Sequence, residues 1–116
     1  MANSNIWQKI DNLGYVQQGA HTLVKKALKN PQFDAKHDLH GLNANEAHTE
    51  ITSLLENAWD LQQRQLLIIH GIGAQVIRKI VWDYCIEHPY LLAVTKAPDN
   101  LGGLGATVLI FKRRVI

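Results

Sequence analysis

Leu66-Leu67-Ile68-Ile69-His70-Gly71-Ile72-Gly73 is the stretch that decides the fold. Four consecutive apolar residues leave no polar face, the pattern of an inner strand covered on both sides rather than of a half-exposed one. His70 closes the strand and the two glycines turn the chain. From about Gln75 to Glu87, Val76, Ile77, Ile80, Val81, Tyr84 and Cys85 recur at helical spacing until Pro89 stops the run. Strand, glycine turn and helix in that order are half of a βαβ unit.

The same rhythm extends in both directions. Upstream, a strand is centred on Lys36 to Leu39 and broken by Gly41. Asn43 then starts a helix, with Glu46 three residues on, where it can bond back to the cap. Ala47, Ile51, Leu54, Leu55 and Ala58 form the stripe this helix buries. Downstream, Leu91 to Thr95 reads as a strand, Pro98 to Gly105 as a loop, and Ala106 to Phe111 as a last strand running into Lys112-Arg113-Arg114. Right-handed crossovers make the first three strands parallel, and the short loop before the fourth permits an antiparallel hairpin. The predicted architecture is an α/β two-layer sandwich, β-α-β-α-β-β, with a four-stranded mixed sheet over residues 37–114.

Residues 1–36 have a different texture, rich in Asn, Gln and Lys, and read as a helical N-terminal extension. Ser4 can cap a helix carrying Ile6, Trp7, Ile10 and Leu13, ended by Gly14. After Gly19, a second helix puts Ala20, Leu23, Val24, Ala27 and Leu28 on one stripe and keeps Lys25, Lys26 and Lys29 wet, until Asn30-Pro31. Such helices either pack on the domain or dock on a partner.

A chain of 116 residues, 47% hydrophobic and 19% charged, holds one globular core and is not a disordered segment. The single Cys85 excludes an internal disulfide and any multi-cysteine metal centre, and it fits a reducing compartment. No apolar run approaches the roughly 18 residues that span a bilayer. The polar start, Met1 to Gln8, is unlike a secretory signal. A cytoplasmic location with no membrane contact is therefore expected. The net charge of +2 is unevenly spread. Residues 1–36 carry five Lys against two Asp, residues 37–111 carry four basic against eight acidic groups, and Lys112, Arg113 and Arg114 add three positive charges. Attraction to a phosphate backbone must come mainly from the two ends.

Three motifs could carry chemistry. Asp38 and His40, two apart on a strand, would share a face with Cα atoms roughly 6.6 Å apart. A histidine can exchange a proton near neutrality while a carboxylate orients it. Spacing alone leaves that pair weakly specific. His70-Gly71-Ile72-Gly73 lies at a strand-to-helix junction, where bare N–H groups attract anions, though a plain tight turn has the same sequence. Gly102-Gly103-Leu104-Gly105 reads equally as a flexible hairpin connection or as a third wall of the site. Parallel strands would bring all three to the edge of the sheet where open α/β folds bind ligands.

Taken together, Asp38-Leu39-His40-Gly41-Leu42 with Glu46-Ala47, then Ile68-Ile69-His70-Gly71-x-Gly73, His88-Pro89 and Gly102-Gly103-x-Gly105-Ala106-Thr107-Val108, resemble the Smr (small MutS-related) domain over about residues 37 to 112. Ile72 stands where members often carry Lys or Arg, and Gln75 where a further glycine is often found. The resemblance implies a sandwich like the C-terminal domain of a translation initiation factor. It also implies endonuclease activity on RNA or DNA, with the Asp-Leu-His motif tied to cleavage.

The expected mechanism is metal-independent RNA cleavage without a cofactor, since the pair lacks the carboxylate cluster of a two-metal nuclease. His40 would be the general base and Asp38 its orienting partner, with His70 a second acid or base. Amides at Gly41, Gly71, Gly73, Gly102, Gly103 and Gly105, with Lys112, Arg113 and Arg114, would bind phosphate. The alternatives are DNA nicking by an activated water, or a non-catalytic module recruited to ribosomes or repair complexes through residues 1–36.

Overall fold

The computed structural model describes residues 12–73 and 75–113. Strands β1 (Tyr15–Val16), β2 (Ala35–Asp38), β3 (Gln65–Ile69), β4 (Leu91–Lys96) and β5 (Ala106–Phe111) alternate with helices α1 (His21–Lys29), α2 (Ala44–Asp60) and α3 (Val76–Cys85). The strands form one mixed sheet in the order β1-β4-β5-β3-β2. β2 and β3 are parallel, and β5 runs antiparallel to both β3 and β4, so β2, β3 and β4 share a direction as the crossover rule required. β5 takes the central place, with all six residues buried.

Side-chain alternation explains why Leu66 to Ile69 has no polar face. Leu66 and Ile68 point into a core closed by Ile51, Leu55, Val81 and Cys85 of α2 and α3, with Phe111 and Leu109 from β5. Leu67 points the other way, into a second cluster with Ala93, Val108 and Ile110 of the sheet and Ala20 and Val24 beside it. The α/β sandwich over residues 37–112 thus has its second face covered by α1. Burial pushes the Cys85 thiol pKa up, as expected of a core cysteine.

The structure departs from the sequence reading in the extension. The sheet has a fifth strand, because Tyr15 and Val16 pair antiparallel with Val94 and Ala93 of β4. Two residues are too few to show a strand period. Val24 is fully buried while Leu23 is 62% exposed, so the stripe of α1 is narrower than expected and is spent on its own sheet. The helix expected from Ser4 falls outside the described residues except for Asn12 and Leu13, which form a turn. Among the described residues no helix is long and apolar enough to cross a membrane.

α2 begins where the capping box placed it. Asn43 Oδ1 accepts the Glu46 N–H at 2.8 Å, and Glu46 Oε1 accepts the Asn43 N–H at 3.0 Å. This cap fixes the chain just after the first motif.

Candidate active site

β2 ends at Asp38, and the chain then turns sharply. Buried Leu39 donates its N–H to the Ile69 carbonyl at 2.7 Å, and the Leu42 N–H closes the turn on the Leu39 carbonyl at 3.2 Å. Gly41 sits at φ +84° with no atom within 4 Å of where a Cβ would be. The backbone conformation, not lack of space, asks for glycine. This turn folds His40 back onto Asp38, whose Oδ1 accepts the His40 backbone N–H at 3.0 Å and lies 2.5 Å from Nδ1. Both side chains are more than half exposed.

That contact determines the state of the ring. Two hydrogen bonds from His40, the side-chain one the larger, hold the Asp38 carboxyl below its ordinary range. An ionised carboxylate only accepts, so the proton of neutral His40 resides on Nδ1 and Nε2 keeps its lone pair. His40 lines a cleft of about 370 Å³ together with Leu42, Gly71, Gly73, Val76 and Ile77.

The second and third motifs meet at the same edge. His70 and Gly71 both donate their N–H groups to the Gly105 carbonyl at 3.0 Å. A Cβ on Gly105 would lie 3.1 Å from Ile72 Cγ1 and 3.5 Å from the Gly71 carbonyl carbon, so glycine permits this close approach. A Cβ on Gly71 would stand 3.6 Å from His40 Cβ, which makes the first two motifs neighbours.

His70 differs from its expected role as an acid or base. It is 6% exposed, and both ring nitrogens are bonded within the protein. Nδ1 lies 3.1 Å from the Gly71 carbonyl, which can only accept, so Nδ1 carries the proton. Nε2 lies 2.8 Å from Thr107 Oγ1, which also accepts the Trp82 indole N–H at 2.8 Å. The single hydroxyl hydrogen of Thr107 therefore points at His70, and the donors run Trp82 to Thr107 to His70 to the Gly71 carbonyl. Burial, and secondarily the charge of Arg78, lowers the His70 pKa against the opposing pull of that carbonyl. A neutral, fully bonded imidazole braces the glycine turn.

Thr107 and Trp82 escaped the sequence reading as site residues. One signal was present: Thr107 is the single polar residue of an otherwise apolar strand, and it is fully buried. A buried hydroxyl needs a partner.

The glycine amides are mostly committed. Gly71 donates to Gly105, Gly103 to Pro98 at 3.1 Å, Gly105 to Gly102 at 2.8 Å and, at a long 3.5 Å, Gly102 to Asp99. These four N–H groups are not free for a phosphate in this conformation, because they build the two turns. Gly41 and Gly73 have N–H groups with no protein acceptor among the described residues.

Lys112 and Arg113 stand at the opposite edge. The Phe111 N–H bonds the Arg64 carbonyl and the Lys112 N–H the Tyr90 carbonyl, both at 2.8 Å. The length of β5, roughly 20 Å, separates them from His70. There they line a cleft with Trp59 and Arg64. Arg114 lies outside the described residues. Among those described, no group of three or more His, Cys, Asp or Glu side chains could hold a metal ion.

Residues 37–112 match the Smr domain family. Endonuclease MutS2 of Carboxydothermus hydrogenoformans is 33% identical over 105 residues, which are 90% of this chain and 13% of that protein. Endonuclease MutS2 of Lactococcus lactis subsp. cremoris is 37% identical over 106 residues, 91% of this chain and again 13% of the relative. The chain thus spans about an eighth of the length of these relatives. Among solved structures, the Smr domain of Thermus thermophilus MutS2 superposes with a TM-score of 0.64 at 29% identity, covering 67% of this chain and 98% of that one. YdaL, a stand-alone small MutS-related protein from Escherichia coli, superposes at 0.77 and 22% identity over 85% of this chain and 82% of its own, a likeness of fold. That coverage exceeds residues 37–116, so part of the extension has a counterpart there.

Proposed function

The chain belongs to the Smr domain family, and on that premise we propose that it is a nucleic-acid endonuclease whose Asp38–His40 pair cleaves RNA without a metal. The observation that carries this reading is the Asp38 Oδ1 to His40 Nδ1 contact, which leaves Nε2 as a basic nitrogen in an exposed cleft. Nε2 removes the proton of a ribose 2′-hydroxyl. The 2′-oxygen bonds to the adjacent phosphorus, and the bond from phosphorus to the 5′-oxygen breaks. Solvent supplies the proton for the departing 5′-oxygen, so the products carry a 2′,3′-cyclic phosphate and a 5′-hydroxyl. Asp38 stabilises the imidazolium as it forms.

The amide of Gly73, next to the start of α3, stabilises the charge that grows on the phosphate oxygens. His70, Thr107 and Trp82 are positioning residues that keep the Gly71–Gly73 turn in place. Lys112 and Arg113 bind phosphates of the same strand at a distance from the scissile one. Association with a ribosome or repair complex belongs to the exposed face of α1, where Lys25, Lys26 and Lys29 face solvent. Its test is Lys25, Lys26 and Lys29 changed to Glu, since deleting α1 would uncover Leu67 and Val108.

The experiment is incubation of labelled RNA and DNA, single-stranded and duplex, with and without chelator, followed by identification of the product ends. Chelator-resistant cleavage of RNA to a cyclic phosphate is expected. Cleavage confined to DNA, with 5′-phosphate ends, would favour the activated-water route instead. Binding without any product would leave a recruitment module.

A further inference from the structure

We infer that the cleft beside His40 is a subsite for a single unpaired nucleobase, so that the strand cleaved is unpaired at the scissile nucleotide. The inference rests on His40 acting as the base toward a 2′-hydroxyl. A ribose whose 2′-oxygen meets His40 Nε2 carries its base on the adjoining carbon, one bond further into the surface that His40 shares.

The side chains of that surface suit a flat apolar ring, and phosphate is left to the Gly73 amide. Leu42, Val76 and Ile77 wall it, and no Lys, Arg, Asp or Glu side chain lines it among the described residues. Its volume of about 370 Å³ is at the small end of ligand sites, room for one nucleotide unit. Val76 is 53% exposed in the first turn of α3, and Ile72 and Leu104 on the neighbouring glycine turns are 69% and 51% exposed. Three large aliphatic side chains left wet around one edge of a small domain are not explained by its core. Gln75, exposed at the cleft in the left-handed region at φ 63°, adds a carboxamide that can both donate to and accept from a base edge.

Charge points the same way. Residues 37–111 carry twice as many acidic as basic groups, and Lys112 and Arg113 are a strand's length away. Attraction to the backbone is weak where cleavage occurs, and packing of a base supplies the missing affinity. A paired base is held in its stack and cannot enter, which selects unpaired RNA.

The test is a titration of the full chain, followed by amide chemical shifts, with ribose 5-phosphate and with each nucleoside 3′-monophosphate. Ribose 5-phosphate should shift Gly73 and His40. At least one nucleotide should bind about five- to a hundred-fold tighter than ribose 5-phosphate, with added shifts at Val76 and Ile77. Val76→Ser should narrow that ratio to less than about threefold, and Val76→Leu should keep it. Nucleotides that bind no tighter than ribose 5-phosphate, while both shift Gly73, would overturn the base subsite and leave the proposed chemistry standing. Nucleotide shifts gathered around Trp59 and Tyr90 would also overturn it. Absence of any shift at Gly73 and His40 with every ligand would overturn both.

Discussion

Thr107 Oγ1 lies 2.8 Å from His70 Nε2 and donates its hydroxyl hydrogen to it, because the ring's own proton sits on Nδ1 against the Gly71 carbonyl; the same oxygen accepts the Trp82 indole N–H. One hydroxyl on the central strand therefore joins α3 to the glycine turn at the edge where Asp38 and His40 stand. The turn is held from beneath by a neutral histidine, and the proton chemistry proposed for this edge falls to the exposed one.

Thr107→Val should separate these two roles. It removes the oxygen that accepts from Trp82 and donates to His70 in the core, a cost of about 2–4 kcal/mol. Thermal unfolding should fall by roughly 10 °C or more. Thr107→Ser should recover most of it. In the wild type, nitrogen NMR should find His70 protonated at Nδ1 with a bare, pyridine-like Nε2. A wild-type His70 protonated at Nε2 would break the assigned chain of donors.

Asp38→Asn and His40→Ala should act on rate and not on folding. Both side chains are more than half exposed, so thermal unfolding should be nearly unchanged. Cleavage should drop roughly a hundredfold or more, since the amide neither carries the charge that supports an imidazolium nor enforces the Nδ1–H form. Wild-type turnover in either variant would remove the pair from the mechanism.

Stability should decline with acid in a particular window. Burial lowers the pKa of His70, His37 and His88 in the folded protein. Below about pH 6.5 the unfolded chain takes up protons that the folded chain refuses, so stability is complete above that pH and is lost as pH falls toward the folded values. Thermal unfolding between pH 7.5 and 5 checks this, and His70→Gln should flatten the slope. A melting temperature that rises on acidification would contradict it.

Lys112→Ala with Arg113→Ala should lower affinity and salt sensitivity more than turnover. Each phosphate of a single strand that these cations no longer neutralise should reduce the slope of log K against log salt by about 0.7. The double variant should raise KM more than it lowers kcat. An unchanged salt slope would show that these cations do not touch the strand.

How much of the fold and site is legible in the sequence depends on the range of each interaction. The Asn43–Glu46 box, the β3–turn–α3 unit and the shared direction of β2, β3 and β4 follow from local pattern and crossover handedness, and the structure agrees. The Asp38–His40 pairing is legible as a pair but not in its cause. β2 stops at Asp38, so the Gly41 turn joins them and strand alternation does not. β1 is two residues long and carries no period. The Gly71 amide is committed by the way two turns meet across more than 30 residues of intervening chain, while those of Gly103 and Gly105 close on Pro98 and Gly102 within their own loop. Trp82 and Thr107 are 25 residues apart on a helix and a strand, where spacing cannot reveal a shared oxygen.

The most direct test of the central claim is cleavage of one RNA strand bearing a single 2′-deoxyribose at its mapped scissile nucleotide, with the product ends identified. A 2′-hydroxyl nucleophile activated by His40 predicts that cleavage at that position disappears, and that the all-ribose strand yields a 2′,3′-cyclic phosphate. Undiminished cleavage at the deoxy position would contradict it.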